Sequence, residues 1–445
     1  MSNNLINREN QANGYHLPPI DLLNDYEPTG VAVTEEELCT KKDKIVEVLN
    51  DNNMLFSKII ATVGPTVTLF EICPENISIN KIQELDDVFA ESLNVQSVRI
   101  IAPIYERGTI GIEVPNNHPK TVALRSLIAS RRFQELDGEL PVTIGQTIDN
   151  GTFVFDFEKA HRLNLSGDDN QGKTAALNTI LASLLYRKNP TQLKLVLIDT
   201  KGTELLPYKL LSKGFLAQRT NVNDTVITDK QKSVDTLISV CAETKKREKM
   251  LMKAGGLNYR EYCNKLADGQ FNTTDEYEYL PYIVVVINGL NELKEFIGRK
   301  KFENLINELE LSYFVGIHLI FTTQDINQIS LPGKEIVFHQ NYDDVNANLK
   351  EFEKQHLIIN PSNCDSKPPH NSKRNDNTYP LIGCGDALIK RNNCDLVRVQ
   401  CATVDIAEIE RIVEFVTNQP CSGQSYILPT EMLWTSYLQR PFPKN

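Results

Sequence analysis

The sequence contains no long apolar run. No window approaches about 18 uninterrupted apolar residues, the length that a membrane-spanning helix requires. The first residues, MSNNLINREN, also hold no apolar stretch of the kind that directs secretion. We therefore expect a cytoplasmic protein without a membrane segment.

The cysteines show no pattern, although nine are present. None forms a CxxC pair, and none has the spacing of zinc ligands. An odd, dispersed set suits a reducing compartment better than a disulfide framework. This distribution argues against a disulfide-stabilised fold and against a zinc module.

Positive charge is in deficit, with 47 Lys and Arg against 58 Asp and Glu and a net charge of −11. This balance argues against diffuse adhesion to nucleic acid, although a pore or a loop can still be basic on an acidic body. No internal repeat of solenoid period is present, which excludes a repeat architecture.

The chain has 445 residues, of which 41% are hydrophobic and 24% charged. These values are ordinary for a globular protein, and the length suits about two or three domains. Alternating and β-branched segments such as TVTLFEI (66–72) predict an early α+β module. We assign a flexible lead-in with a linker helix to 1–54, the α+β module to 55–141, a larger α/β module to 142–430 and a tail to 431–445.

Three segments of the larger module are almost continuously apolar: LKLVLID (193–199), YIVVVIN (282–288) and GIHLIFTT (316–323). Helices are predicted between the strands, from Lys173 to Tyr186 and from Ser233 to about Ala254. The pattern predicts an α/β fold with a mostly parallel sheet and helices on both faces. Residues 357–380, rich in Asn, Ser and Pro, predict an inserted surface loop.

A phosphate-binding loop is indicated by GDDNQGKT (167–174), which fits the pattern G-x-x-x-x-G-K-[ST] between a predicted strand and a predicted helix. In such a loop, backbone N–H groups meet a polyphosphate at a helix N-terminus. The lysine reaches the β and γ phosphates, and the hydroxyl ligates Mg²⁺. We predict that the nucleotide is bound by Gly167, Asp168, Asp169, Asn170, Gln171, Gly172, Lys173 and Thr174, with Thr174 as the metal ligand.

Two carboxylates, those of Asp168 and Asp169, lie inside this loop. Repulsion between a carboxylate and a phosphate a few Å apart costs about 1 kcal/mol when both are solvated, and more when they are not. The penalty is small if the two side chains point outward.

The end of the strand 282–288 lacks the acid that a hydrolytic site needs near Mg²⁺ and the attacking water. It carries Asn288 and Gly289. Asparagine can neither carry the charge nor take a proton. Glu292 lies about one turn further on and can substitute only if the backbone bends there, while Asp199, at the end of another strand, is the other candidate acid.

Several segments follow one another along the chain: GPTVTLFEI (64–72), SVRIIAPI (97–104), GTIGIEVPN (108–116), the phosphate loop, LVLIDTKGTEL (195–205), LPYIVVV (280–286), GIHLIFTTQ (316–324), LIGCGDAL (381–388) and DLVRVQCATVD (395–405). In this order they resemble the motor region of FtsK/SpoIIIE DNA translocases, in particular that of the Bacteroidetes members.

The resemblance implies a small α module packed on a RecA-like β module, ATP and Mg²⁺ as ligands, and a hexameric ring around double-stranded DNA with the nucleotide between neighbours. Asp199, Lys201 and Glu204 match the family's run D-P-K-x-x-E-L, with Thr200 in place of the proline. Gln324 matches the polar sensor of the γ phosphate.

The departures from the family concern charged groups. Its strand ends in Asp-Glu, where this chain has Asn288 and Gly289. Its sensor is followed by Arg-Pro, where Asp325 and Ile326 stand. Its basic run that serves the neighbouring subunit's phosphate is replaced by NYDDVNAN (341–348), without Lys or Arg. The family's membrane bundle and winged-helix module are also not found in the sequence.

Two functions stay open. The first is an ATP-binding scaffold associated with double-stranded DNA, a pseudo-ATPase with impaired hydrolysis, in a homo-hexamer or a mixed ring with an active homologue. The second is an active ATP-dependent DNA translocase of chromosome segregation and cell division. The basic triplet Arg299, Lys300 and Lys301 is equally consistent with a contact to DNA phosphate and with a solvated turn.

Overall fold

The computed structural model describes residues 14–26, 33–104, 107–160, 162–167, 172–211, 213–220, 222–270, 278–323, 334–338, 385–390, 396–419 and 425–430. Several predicted features lie outside these ranges: Asp168, Asp169, Asn170 and Gln171 of the phosphate loop, the sensor Gln324, Asp325 and Ile326, the segments 341–348 and 357–380, and the tail 431–445.

The first module is a four-stranded antiparallel sheet with helices packed on it, in the strand order β1-β2-β4-β3. Its elements are α1 (Glu35–Asp51), β1 (Leu55–Val63), β2 (Val67–Asn76), α2 (Ile79–Gln83), α3 (Asp86–Leu93), β3 (Arg99–Ile104) and β4 (Thr109–Pro115). Ile45 and Leu49 of α1 are fully buried against Phe70, Phe89 and Ile112. The helix that we predicted as a linker therefore shares this core, so we place the start of the module at α1.

The second module contains a ten-stranded sheet. In spatial order its strands are β10 (Val226–Ile227), β8 (Leu193–Asp199), β11 (Tyr282–Asn288), β12 (Ile317–Thr323), β7 (Arg162–Gly167), β13 (Lys334–Phe338), β14 (Asp386–Lys390), β15 (Leu396–Cys401), β5 (Pro141–Thr147) and β6 (Thr152–Asp156). Its first half, from β10 to β13, is parallel, and its second half is antiparallel. Two short helices, α4 (Leu124–Ile128) and α5 (Arg131–Gln134), precede it and lie against β5.

Two further strands, β9 (Ala217–Arg219) and β16 (Tyr426–Leu428), pair with each other in a separate two-stranded sheet. The helices are α6 (Lys173–Arg187), α7 (Lys230–Lys253), α8 (Tyr259–Ala267), α9 (Leu290–Ile297), α10 (Arg299–Glu310) and α11 (Ile406–Thr417).

Every residue of β7, β8, β11 and β12 is buried. Successive side chains of a strand point to opposite faces, so both faces of this part of the sheet are covered. The near-continuous apolar composition of these strands follows from that environment. None of the helices in the described ranges is both long and apolar enough to cross a membrane.

The carboxyl ends of the central parallel strands meet at one edge of the sheet. Asn288 at the end of β11 is in register with Asp199 of β8 on one side and with Thr322 of β12 on the other. On the far side of β12, Thr323 is in register with Ser166 of β7, one residue before Gly167. Ligands of open α/β sheets bind at this edge.

Residues 14–26, part of the predicted flexible lead-in, lie against the second module. The backbone N–H of Asn24 donates to Glu408 Oε1 at 2.7 Å, and Arg411 Nε donates to the carbonyl of Leu22 at 2.8 Å. The backbone N–H of His16 donates to Gln419 Oε1 at 2.6 Å. We predicted a flexible segment here. The structure differs because residues 14–26 are bound by Glu408, Arg411 and Gln419, which are distant in sequence.

Candidate nucleotide site

The phosphate loop joins β7 to α6. The strand ends at Gly167, and the helix begins at Lys173 with Gly172 as its N-cap. Gly172 has a φ of 118°, a conformation that favours glycine. The loop predicted from the sequence therefore has the strand before it and the helix after it that such a loop requires.

Lys173 and Thr174 both lie at the mouth of this loop. Lys173 is buried, and its ammonium group donates a hydrogen bond to the carbonyl of Gly167. Thr174 donates a hydrogen bond from its hydroxyl to Glu204. Burial raises the pKa of the Glu204 carboxyl, although Lys173 and Thr174 act in the opposite direction. Among the described residues, Glu204 Oε2 is buried without a hydrogen-bond partner.

Asp199 is fully buried, and both of its oxygens accept hydrogen bonds from the chain that follows β8. Oδ1 accepts from the N–H of Gly202 at 3.0 Å, and Oδ2 accepts from those of Glu204 and Leu205 at 2.9 and 3.0 Å. These bonds hold the segment that carries Lys201 and Glu204. These contacts indicate that Asp199 positions the segment that follows β8. That Asp199 is a catalytic acid stays a prediction.

Asn288 connects three strand ends. Its Nδ2 donates to Asp199 Oδ1 at 2.7 Å, and its Oδ1 accepts a hydrogen bond from the hydroxyl of Thr322. The residue is buried. The amide thus uses both its donor and its acceptor capacity within the sheet edge, which an aspartate at this position could not do.

Gly289 allows the chain to turn sharply after β11. Its φ of 93° and ψ of 49° place it in the left-handed region, and α9 starts at the next residue. The hydroxyl of Thr200 donates to the carbonyls of Asn288 and Gly289 at 3.2 and 3.1 Å. A Cβ added to Gly289 would lie 2.0 Å from Thr200 Oγ1 and 2.9 Å from Glu292 Oε2. The carboxylate of Glu292 is therefore folded back towards Gly289.

A small pocket opens at this edge of the sheet. Its lining combines two cations, one carboxylate and several neutral polar groups: Lys173, Lys201, Glu292, Asn288, Asn291, Thr322 and Thr323, with Gly289 and Leu290. A polyphosphate suits the two lysines, and a hydrated Mg²⁺ suits a hydroxyl near carboxylate oxygens that lack partners. The residues present thus fit ATP with Mg²⁺, with Thr174, beside Glu204, to hold the metal.

Among the site residues predicted from the sequence, the structure brings together Gly167, Gly172, Lys173, Thr174 and Asp199. Asn288, predicted as the neutral residue where an acid is missing, lies beside Asp199. Glu292 was a conditional candidate, and the backbone bends at Gly289 as that condition requires. Thr200 was not predicted to contact the end of β11. No local pattern signals that contact, because residues 200 and 289 come from neighbouring strands that are distant in sequence.

The basic triplet lies at the start of α10, as predicted. Arg299 is exposed and pairs with Glu303, with Nε 2.7 Å from Oε1. Lys300 and Lys301 are exposed as well. Both interpretations, a contact to DNA phosphate and a solvated turn, need such exposure.

The fold and the loop define a RecA-like P-loop ATPase core preceded by a small α+β module. The family model of the FtsK alpha domain matches residues 17–116, and that of the FtsK/SpoIIIE family matches residues 123–328. The chain belongs to the FtsK/SpoIIIE family.

Relatives named DNA translocase FtsK are similar over nearly the whole chain. That of Chlorobaculum tepidum is 33% identical over 422 residues, which is 93% of this chain and 49% of the relative. That of Campylobacter jejuni subsp. jejuni is 30% identical, over 91% of this chain and 40% of the relative. DNA translocase SftA of Bacillus subtilis is 30% identical, over 92% of this chain and 40% of the relative. The chain thus spans half or less of the length of these relatives.

Solved structures resemble the fold more distantly. The conjugation coupling protein TcpA of pCW3, in its monomer form with ATPγS, is 20% identical, with a TM-score of 0.43 over 81% of this chain and 94% of that chain. EccC of Thermomonospora curvata, ATPases 2 and 3 in complex with a signal sequence peptide, is 17% identical. Its TM-score is 0.47, over 67% of this chain and 50% of that chain.

Proposed function

We propose that this chain binds ATP with Mg²⁺ in the pocket and forms part of a motor associated with double-stranded DNA, in which it hydrolyses ATP slowly. The observation that carries the proposal is the end of β11. There Asn288 is occupied by Asp199 and Thr322, and Gly289 has no side chain. A positioned general base contributes about 10²- to 10⁴-fold in rate, and the end of β11 supplies none. Retained nucleotide binding is supported by Lys173 and Thr174, which begin α6 directly after Gly172.

The assembly that we propose is a ring, either a homo-hexamer or a mixed ring with an active homologue. Its support is membership in a family whose similar members are named DNA translocases. We propose the cytoplasm as its compartment, where ATP and duplex DNA are both present. Chromosome segregation is the process that these partners suggest.

A second candidate function is an active DNA translocase. One observation favours it: the carboxylate of Glu292 lines the same pocket as Lys173 and Lys201. In that case hydrolysis should be fast and should increase strongly on addition of DNA.

The test of the proposed function measures binding of a fluorescent ATP analogue and release of phosphate, with and without duplex DNA, on one preparation. We expect wild type to bind the analogue with Mg²⁺ and to release phosphate slowly. Lys173→Ala should abolish binding, whereas Lys42→Ala, which removes an exposed lysine of α1, should not change it. Absence of binding by wild type would refute the proposal, and rapid DNA-stimulated release would favour the second candidate.

Restoration of the two acids requires a third substitution. A side chain at position 289 meets Thr200 Oγ1 and also the Glu292 carboxylate. The variant should therefore combine Thr200→Ala, Asn288→Asp and Gly289→Glu, and its new carboxylate takes the place of that of Glu292. We expect phosphate release to rise by about tenfold or more above wild type, within the usual range for a general base. A well-folded triple variant that is no faster than wild type would show that these positions do not limit hydrolysis.

A further inference from the structure

We propose that Glu292 provides the carboxylate that acts on the attacking water in whatever hydrolysis this site performs. The inference rests on the proposed binding of ATP in the pocket. The end of β11 has no carboxylate that could activate the water. We assign this task to Glu292, in the first turn of α9.

The position of the Glu292 side chain carries the inference. The left-handed conformation of Gly289 turns the chain directly into α9, and the Glu292 side chain points back across this turn. Its Oε2 lies 2.9 Å from the place where a Cβ on Gly289 would stand. The carboxylate thus occupies space beside the backbone of residue 289, next to the strand end from which an acid at that residue would project.

The surroundings of the carboxylate suit a group that acts on a ligand. Glu292 lines the pocket together with Lys173 and Lys201. Its Oε2 is buried, and within the described part of the chain it has no hydrogen-bond partner. A buried oxygen of this kind costs free energy unless something binds to it. A water molecule between Glu292 and a bound triphosphate would satisfy it.

The other acids at this edge are engaged differently. Asp199 accepts four hydrogen bonds, from Gly202, Glu204, Leu205 and Asn288. Glu204 accepts one from Thr174 and lies on the side of the loop helix. Its Oε2 also has no partner among the described residues, but Glu204 does not line the pocket. Among the described residues that line the pocket, Glu292 supplies the carboxylate.

The chemical step balances with ATP and water alone. The water oxygen forms a bond to the γ-phosphorus as one water proton passes to Glu292. The bond between the γ-phosphorus and the bridging oxygen breaks, and its electron pair leaves with ADP. Hydrogen phosphate retains the second water proton, and Glu292 returns its proton to solvent.

The experiment compares Glu292→Gln with Glu295→Gln in the full chain. Glu295 is exposed on the same helix, so its variant controls for the loss of a charge from α9. For each protein, phosphate release at saturating ATP and duplex DNA is measured together with the dissociation constant of the fluorescent ATP analogue and the melting temperature. Lys173→Ala provides the background rate.

We expect Glu292→Gln to reduce phosphate release by about 100-fold, or to the Lys173→Ala background if that is reached first. Its affinity for the ATP analogue should stay within about threefold of wild type, since an acid needed for chemistry is not needed for binding. Glu295→Gln should match wild type in all three measurements.

Two outcomes would overturn the inference while leaving nucleotide binding intact. One is a Glu292→Gln protein that releases phosphate at the wild-type rate. The other is a wild type that binds the ATP analogue but releases phosphate no faster than Lys173→Ala. Failure of wild type to bind the analogue would instead refute the proposed function itself. If Glu292→Gln lowers the melting temperature, Glu292→Asp, which retains the carboxylate, should recover more activity than Glu292→Gln.

Discussion

Thr200 and Gly289 constrain each other at the end of β11. The Thr200 hydroxyl donates to the carbonyls of residues 288 and 289 and stands where a Cβ of residue 289 would lie. In the family motif the corresponding positions are a proline and a glutamate. The two departures therefore share one physical basis, since a threonine hydroxyl here excludes a side chain at 289.

We predict that Gly289→Ala lowers the free energy of unfolding by about 2–4 kcal/mol, the sum of an overpacked contact and a left-handed alanine. Thr200→Ala in the same chain should recover part of this loss, because it removes the atom 2.0 Å from the new Cβ. Urea unfolding of the two single variants and the double variant gives the coupling energy. If the free-energy changes of the two single variants simply add in the double variant, the predicted contact between residues 200 and 289 is contradicted.

The loop around Lys173 could be predicted from the sequence, but the position of Glu292 could not. The pattern around Lys173 specified the loop, because its chemistry depends on residues adjacent in sequence. The same sequence left open whether Glu292 could reach the site. That depended on the backbone at Gly289, which glycine permits but does not dictate.

At the scale of elements, the strongly apolar strands were predicted almost to the residue. β8 and β11 have the predicted bounds, and β12 begins one residue later than predicted. The helices α6 and α7 lie within a few residues of their predicted ranges. Burial on both faces requires continuous apolar sequence, which makes these strands conspicuous. The short helices α4 and α5, by contrast, depend on packing against β5.

The last helix, α11, starts with a capping box. Asp405 accepts a hydrogen bond from the N–H of Ala407, and Glu408 Oε2 accepts one from the N–H of Asp405 at 2.8 Å. Glu408 also accepts from the N–H of Asn24 through its other oxygen. The cap and the attachment of residues 14–26 therefore share one side chain.

We predict that Asp405→Ala lowers the free energy of unfolding by about 1 kcal/mol, because a helix N-cap is lost. Asp405→Asn, which keeps a capping oxygen, should cost only a few tenths of that amount. Equilibrium urea unfolding of both variants checks the prediction. Equal losses for the two variants would mean that charge, and not the cap, is responsible.

At the scale of the whole molecule, a buried ion network joins the two modules. Glu113 of β4 accepts from Arg99 at 3.0 Å and from Arg398 of β15 at 2.7 Å. Arg398 also pairs with Asp386 of β14, with Nε 3.0 Å from Oδ1. Burial by itself would raise the pKa of the Glu113 carboxyl, but Arg99 and Arg398 outweigh it and lower that pKa below its ordinary value.

We predict that Arg398→Met lowers the free energy of unfolding by about 3–5 kcal/mol, because Glu113 and Asp386 would remain buried with too little positive charge. Arg131→Met is the control. It breaks an exposed pair with Glu135 and should cost less than about 1 kcal/mol. Similar losses in the two variants, measured by urea unfolding, would contradict a coupling role for the network.

The lowered pKa of Glu113 also predicts an acid dependence. A carboxyl whose pKa is lower in the folded state stabilises the protein above its unfolded pKa, near 4.5, and this contribution disappears as the pH falls through the folded pKa. Stability should therefore decline below about pH 4.5. Glu113→Gln should be less stable at pH 7 and should show a shallower decline. An unchanged slope in that variant would assign the acid sensitivity to other groups.

The sequence by itself determined the α/β architecture, the phosphate loop and the neutral end of β11, because each depends on residues close together in the chain. Only the tertiary structure decided that Asn288 is bound between Asp199 and Thr322, that Glu292 turns into the pocket and that residues 14–26 lie on α11. The reason is that these contacts join segments far apart in sequence, and their geometry follows from strand order and register.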